Sequence, residues 1–237
     1  MSGVPEVIYE DEDVIAVNKP SGMMVHGVSG KESAEPTLVD VLLGRYPEIR
    51  MVGDDPALRP GIVHRLDKDT SGVMLVARNQ RAFEYLKSRF KDRDMEKTYA
   101  AVVAGVPKRE QGTIDRPIGI RSGTTKRSVR SEKMAKPAVT DYETVKTILA
   151  EDARGKEHPF SLLMVHPRTG RTHQIRVHLA SIGHPIVGDP LYGPKKQPPW
   201  AHRLMLHAAS IEFSRPAGGR LRLDAALPDE FKERFGA

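Results

Sequence analysis

Residues 64–72 read HRLDKDTSG. Two acids, two bases, a histidine and two hydroxyls stand together, closed by Gly72. An apolar run at 61–63 leads in, and Val73, Met74, Leu75, Val76 and Ala77 lead out. The flanks read as core, so the polar residues belong to a loop that interrupts a sheet. Thr70, Ser71 and Gly72 are residue types that turn a chain back into such a sheet. In an extended stretch side chains alternate, so Arg65 and Asp67 point the same way. An arginine beside an aspartate keeps the carboxylate ionised and orients it.

Outward from this loop the chain alternates strands with a few helices. VIYEDEDVIAVNKPSG predicts strand, acidic turn and strand, stopped by Pro20 and Gly22. TLVDVLLGRYP predicts a short helix capped by Thr37 and stopped by Gly44 and Pro47. RNQRAFEYLKSRFKDR predicts a second helix with Phe83, Leu86 and Phe90 on one side. EKTYAAVVAG, AVTDYETVKTIL and FSLLMVHP read as strands, as do MLHAASIEF and RLRLDAAL near the end. RTHQIRVHLASIGHP reads as a helix with Thr172 as N-cap, Ile175, Leu179 and Ile182 at helical spacing, and Gly183 as its stop. No repeat or low-complexity linker is present. The expectation is a single α+β domain over 1–237, with a mixed, mostly antiparallel sheet.

With 237 residues the chain can bury an ample core without staples. It has no cysteine, which excludes disulfides, thiolate metal sites and cysteine nucleophiles. No segment reaches the roughly 18 apolar residues of a membrane span, and the N-terminus lacks the pattern of a signal peptide. A soluble, cytoplasmic protein without membrane contact is expected. The net charge of +6 is unevenly spread. Residues 121–136 read RSGTTKRSVRSEKMAK, with Arg121, Lys126, Arg127, Arg130, Lys133 and Lys136 against the single acid Glu132. Clustered cations in an aromatic-free segment suit a phosphate backbone, although a solvated basic loop would look the same.

Four chemistries compete for the 64–72 loop. A kinase catalytic loop is excluded, because HRLD has no glycine-rich phosphate loop before it and no DFG after it. A phosphoryl-transfer aspartate would need further acids for magnesium, and Asp189 is the one tempting partner for Asp67 and Asp69. A metal site built on His173 and His178 meets the wrong spacing, since i, i+5 does not bring both to one helix face. The fourth reading is a single carboxylate acting on a nucleic acid, where an ionised aspartate can attack a sugar C1′, and a plain surface turn carrying a salt bridge accounts for the same residues.

The longer stretch RPGIVHRLDKDTSGVMLVAR, residues 59–78, resembles the signature of the RluA family of RNA pseudouridine synthases. VIAVNKPSGMMVH, EKTYAAVVAG, KPAVTDYETV, HPRTGRTHQIRVHLASIGHPIVGDPLYG and LMLHA follow the family pattern in family order. The resemblance implies the pseudouridine synthase fold, with a central RNA-binding cleft. It implies isomerisation of uridine to pseudouridine in RNA: the uracil N1–C1′ bond breaks, the base turns and C5 bonds to C1′. No cofactor or metal is implied. Asp67 matches the catalytic aspartate, which either attacks C1′ or assists cleavage. Tyr99 matches the tyrosine that lies against the target base, and Arg176 matches the arginine that pairs with the aspartate. Ile175 is expected to wall the base, and Arg65 to fill the gap left by the extruded nucleotide. His64 is expected to be structural, with RNA contact as its second role. Arg171, opening the helix near Thr172, is expected to meet a phosphate at free helix N–H groups, or to serve the helix cap. Lys126, Arg127 and Arg130 are expected on the RNA backbone. Many relatives carry an S4 RNA-binding domain before the catalytic one, and here the strands start near Val7, so no such domain is expected. The expected partner is an rRNA or tRNA stem-loop, and the expected state a monomer. The rival reading is a non-catalytic RNA-binding protein of the same fold.

Overall fold

The computed structural model describes residues 4–27, 35–121, 124, 126–152, 154–194, 196–215 and 218–236. The strands among them are β1 (Glu6–Glu10), β2 (Val14–Lys19), β3 (Ser71–Ala77), β4 (Met95–Ala104), β5 (Gln111–Asp115), β6 (Gly119–Ile120), β7 (Arg127–Ser128), β8 (Val139–Glu151), β9 (Glu157–Pro167), β10 (Leu206–Ser214) and β11 (Arg220–Asp224). The helices are α1 (Leu38–Arg45), α2 (Gln80–Asp92), α3 (Gln174–Ser181) and α4 (Asp229–Phe235), with a 3₁₀ turn at Pro47–Met51. The class is α+β, as expected. The chain gathers into two compact units, Met1–Lys97 with Ala208–Ala226, and Thr98–His207 with Leu227–Ala237. No helix is long and apolar enough to cross a membrane among the described residues.

In the first unit β1, β2 and β3 form an antiparallel meander, with Ile15 opposite Val76 and Val17 opposite Met74. β10 and β11 pair antiparallel as well. Every residue of β3 is buried, which is why its sequence is a continuous apolar run and not an alternating one. Thr37 caps α1 as expected. Its hydroxyl accepts the Asp40 N–H while the Asp40 carboxylate accepts the Thr37 N–H, a reciprocal capping box. Gly44 does not stop α1; it lies inside, and the helix runs one residue further before Pro47 opens the 3₁₀ turn. α2 is capped by Asn79, buries Ala82, Phe83 and Leu86, and ends on Arg93 in a left-handed conformation.

In the second unit the order is β4-β9-β8-β5, all antiparallel, with Tyr99 opposite Val165. The core combines Ala100–Val103 with Leu162, Leu163, Leu179 and Ile186. α3 departs from expectation at its start. The N-cap is His173, at φ 56, not Thr172. The reason is Gln174, whose buried side-chain carbonyl accepts from Thr169 Oγ1 and the Arg171 N–H, and whose amide donates to Val139 O and Thr140 Oγ1. Those four bonds satisfy the whole amide, and they set where the helix begins. α4 was not expected from the sequence, yet it buries Phe231 and Phe235 completely.

Candidate active site

In the first unit the 64–72 loop is held by its backbone. Lys19 is 0% exposed. Its ammonium donates to Pro20 O (2.8 Å), Met23 O (2.9 Å) and Lys68 O (2.9 Å). A buried charge is tolerated only with such bonds. Ser21 Oγ donates to Asp69 O at 2.6 Å, and the Gly22 N–H to Lys68 O at 3.0 Å. The loop closes on itself through Thr70 N–H and Asp67 O, 3.1 Å apart. Along it exposure alternates as expected: Arg65 is exposed, Leu66 buried and Asp67 half-buried. Gly72 then returns the chain to β3 at φ 117, where a Cβ would lie 2.2 Å from Ala208 O. Only glycine fits there, for reasons of both conformation and space.

His64 anchors the loop from the other side. Its Nε2 accepts the Leu75 N–H at 2.9 Å, and its ring lies 4.7 Å from that of Phe90. Burial, with the nearby Lys97 charge, pushes its pKa down from 6.5 to about 3. The group is therefore neutral when folded but titrates near 6.5 when unfolded. Its contribution is complete above that value and is lost as pH falls through it toward 3. Between pH 7.5 and 5 this loss should be about 2 kcal/mol. Urea unfolding of wild type and His64→Gln at both pH values checks it: the variant should lose about 2 kcal/mol less on acidification, and an equal loss in both proteins would refute the reading. His178 and the carboxylates titrate in both, so they cancel.

Tyr99, Ile175, Arg176 and Arg171 lie in the second unit. Tyr99 is half-buried on β4 and Ile175 buried on α3. Arg176 and Asp189 are each 3% exposed. They form a bidentate pair, Nε to Oδ2 at 2.8 Å and Nη2 to Oδ1 at 2.9 Å. Asp189 also accepts the N–H groups of Leu191 (2.8 Å) and Tyr192 (3.0 Å). Burial pushes the Asp189 carboxyl up, but the Arg176 bonds and charge and the two N–H groups outweigh it and hold the pKa below its ordinary value. In the sequence Asp189 reads only as a metal-site partner, and its pairing with Arg176 is a finding of the fold. No local signal gives this pairing, because only the fold shows that Arg176 is buried and in need of a fixed partner. The turn itself is locked to β4, since the Val187 N–H bonds to Val102 O and the Ala104 N–H to Pro185 O.

Arg171 stands outside α3, which starts at Gln174, so it does not open the helix as expected. Its N–H is taken by the Gln174 side chain and its Nε donates to Pro137 O at 3.1 Å. His173 and His178 have separate partners, Tyr192 OH for the first and Thr140 Oγ1 with Arg116 O for the second. No group of three or more histidines and acids that could hold a metal exists among the described residues.

Residues 122, 123 and 125 of the basic segment lie outside the described residues, and those that are described include one strand of a short antiparallel pair. β6 and β7 pair, Ile118 and Lys136 exchange backbone bonds, and Ser131 Oγ donates to Ile120 O. The Arg127 N–H donates to Tyr192 OH at 2.8 Å. Arg121, Arg130, Lys133 and Lys136 are exposed, while Lys126 and Arg127 are half-buried.

Comparison with known proteins gives one consistent answer. The family model described as RNA pseudouridylate synthase matches residues 13–181. The chain is 38% identical over 229 residues to the uncharacterized RNA pseudouridine synthase YlyB of Bacillus subtilis, covering 96% of this chain and 71% of that one. It is 38% identical over 239 residues to ribosomal large subunit pseudouridine synthase D of Pseudomonas aeruginosa, covering 95% and 69%. Among solved structures, human RNA pseudouridylate synthase domain containing 1 superposes with a TM-score of 0.75 at 27% identity, over 94% of this chain and 84% of that one.

Proposed function

The chain belongs to the RNA pseudouridylate synthase family, whose members are isomerases acting on RNA, and from that premise we propose that Asp67 is its catalytic carboxylate and structured rRNA or tRNA its substrate. The observation that carries the assignment is the loop at 64–72. A fully buried lysine and a glycine without room for a side chain hold its backbone, with Arg65 exposed and Asp67 half-buried two positions on. Extruding a nucleotide costs a few kcal/mol. Arg65 replaces the lost stacking, and Asp67 works on the sugar C1′ as the N1–C1′ bond breaks and C5–C1′ forms. By the same resemblance Tyr99 lies against the base, Ile175 walls it, and Arg176 supplies the charge that keeps the carboxylate ionised. The proton lost from C5 is matched by one gained at N1, so the isomerisation balances in atoms and charge without a cofactor. The name of the Pseudomonas relative favours ribosomal RNA, and a stem-loop bound by a monomer is the simplest form of the complex.

The test is direct. Purified protein incubated with rRNA and tRNA transcripts should form pseudouridine at defined positions, and the same positions should be unmodified in cells lacking it. Binding of RNA without any pseudouridine would establish the non-catalytic alternative instead.

The basic hairpin is proposed to grip the RNA backbone. Each cation that neutralises a phosphate releases counterions, with a log–log salt slope of about −0.7 per contact for single strands and steeper for duplex. Changing Lys126, Arg127 and Arg130 together to alanine should flatten that slope by about 2 and weaken binding across many RNAs. A wild-type slope in the triple variant would move the RNA surface elsewhere.

A further inference from the structure

Four independent contacts converge on Tyr192. Its hydroxyl accepts the backbone N–H of Arg127, from the basic hairpin, at 2.8 Å. The same hydroxyl lies 3.0 Å from Nδ1 of His173, the residue that caps α3 in a left-handed conformation uncommon outside glycine. Its ring lies under the Arg176 guanidinium, with Cζ 5.3 Å from the centroid. Its backbone N–H bonds to Asp189, the partner of Arg176. A phenol oxygen can accept one N–H and donate its own proton, so hairpin and helix entry can be served at once. The ring face meanwhile attracts a cation above it.

We propose that Tyr192 is a positioning residue that couples the basic hairpin to Arg176, so that the RNA grip and the placement of the arginine, whose edge Asp189 holds, share one side chain. The inference rests on the functional reading above and adds a division of labour. The hydroxyl serves RNA affinity, because it fixes where the hairpin stands. The ring serves turnover, because it fixes the guanidinium from the face that Asp189 does not reach.

Two variants separate the parts. Tyr192→Phe keeps the ring and removes one hydroxyl, whose neutral hydrogen bonds correspond to about a 3- to 10-fold effect. It should raise KM and the RNA Kd by that factor and leave kcat within about twofold. Tyr192→Met keeps apolar volume beside Ile118, Ala138 and Val177 but removes the ring. It should raise KM similarly and lower kcat about 10-fold or more. Rates are referred to the folded fraction, so a role confined to folding would lower the melting temperature and move neither constant. Wild-type KM and Kd in Tyr192→Phe would overturn the proposal, as would equal kcat in both variants. Should Tyr192→Met not fold, the KM and Kd of Tyr192→Phe decide alone. A wild type that binds RNA but forms no pseudouridine would refute the functional reading. The coupling would then be judged by Kd, where an unweakened Tyr192→Phe overturns it and a weakened one supports it.

Discussion

Asp67→Asn is expected to reduce pseudouridine formation by about 10³-fold or more, with the melting temperature and RNA Kd near wild type. The substitution is nearly isosteric, and an amide is neither a nucleophile nor a base at neutral pH. The loop should keep its shape because its frame rests on main-chain acceptors. Lys19, Ser21 and Gly22 donate to the carbonyls of Lys68 and Asp69, and the Thr70 N–H to the carbonyl of Asp67. Single-turnover assays on a substrate RNA, with binding measured in parallel, check the separation. Turnover within tenfold of wild type would remove Asp67 from the chemistry.

The largest stability effect is expected at Asp189. Asp189→Ala leaves the Arg176 charge buried without its bidentate partner and removes the acceptor of two backbone N–H groups. Breaking one side of a buried pair costs about 3–5 kcal/mol. For a chain of this length that lowers the melting temperature by about 6–20 °C. Asp189→Asn, which keeps an acceptor oxygen, should cost less. Replacing both partners, as in Arg176→Met with Asp189→Leu, should recover much of the stability, because the desolvation penalty disappears with the charges. Activity should not return with it, since Arg176 is gone. Calorimetry on the three variants decides. A loss below about 1 kcal/mol in Asp189→Ala would mean that water reaches the pair and that it positions nothing.

Much of this molecule was legible residue by residue. The continuous apolar run of β3, the reciprocal cap of Thr37 and Asp40, and the apolar face of α2 are local signals. Each states its structure within one or two turns of chain, where backbone geometry and side-chain chemistry act directly. The 64–72 loop was legible for the same reason, since seven of its nine residues cannot belong to a core without partners. What the sequence could not show were arrangements whose partner lies far along the chain. Thr172 looked like the cap of α3, but the satisfied amide of Gln174 moved the start, using Val139 and Thr140 from β8. α4 carries acids in its first turn and bases in its last, yet seven residues are too few to be stable alone. It exists because Phe231 and Phe235 reach the second unit's core. The basic segment read as a loop because its two-residue strands are too short to have a period; β6 and β7 stand because their pairing and Tyr192 hold them. Pattern and order along the chain thus determined the class and most strands and helices, and the resemblance of its motifs pointed to the family. The tertiary structure alone decided that Asp189 holds Arg176 and that Gly72 must be glycine, because a buried charge and a backbone contact are settled by whatever the completed fold brings within 3 Å.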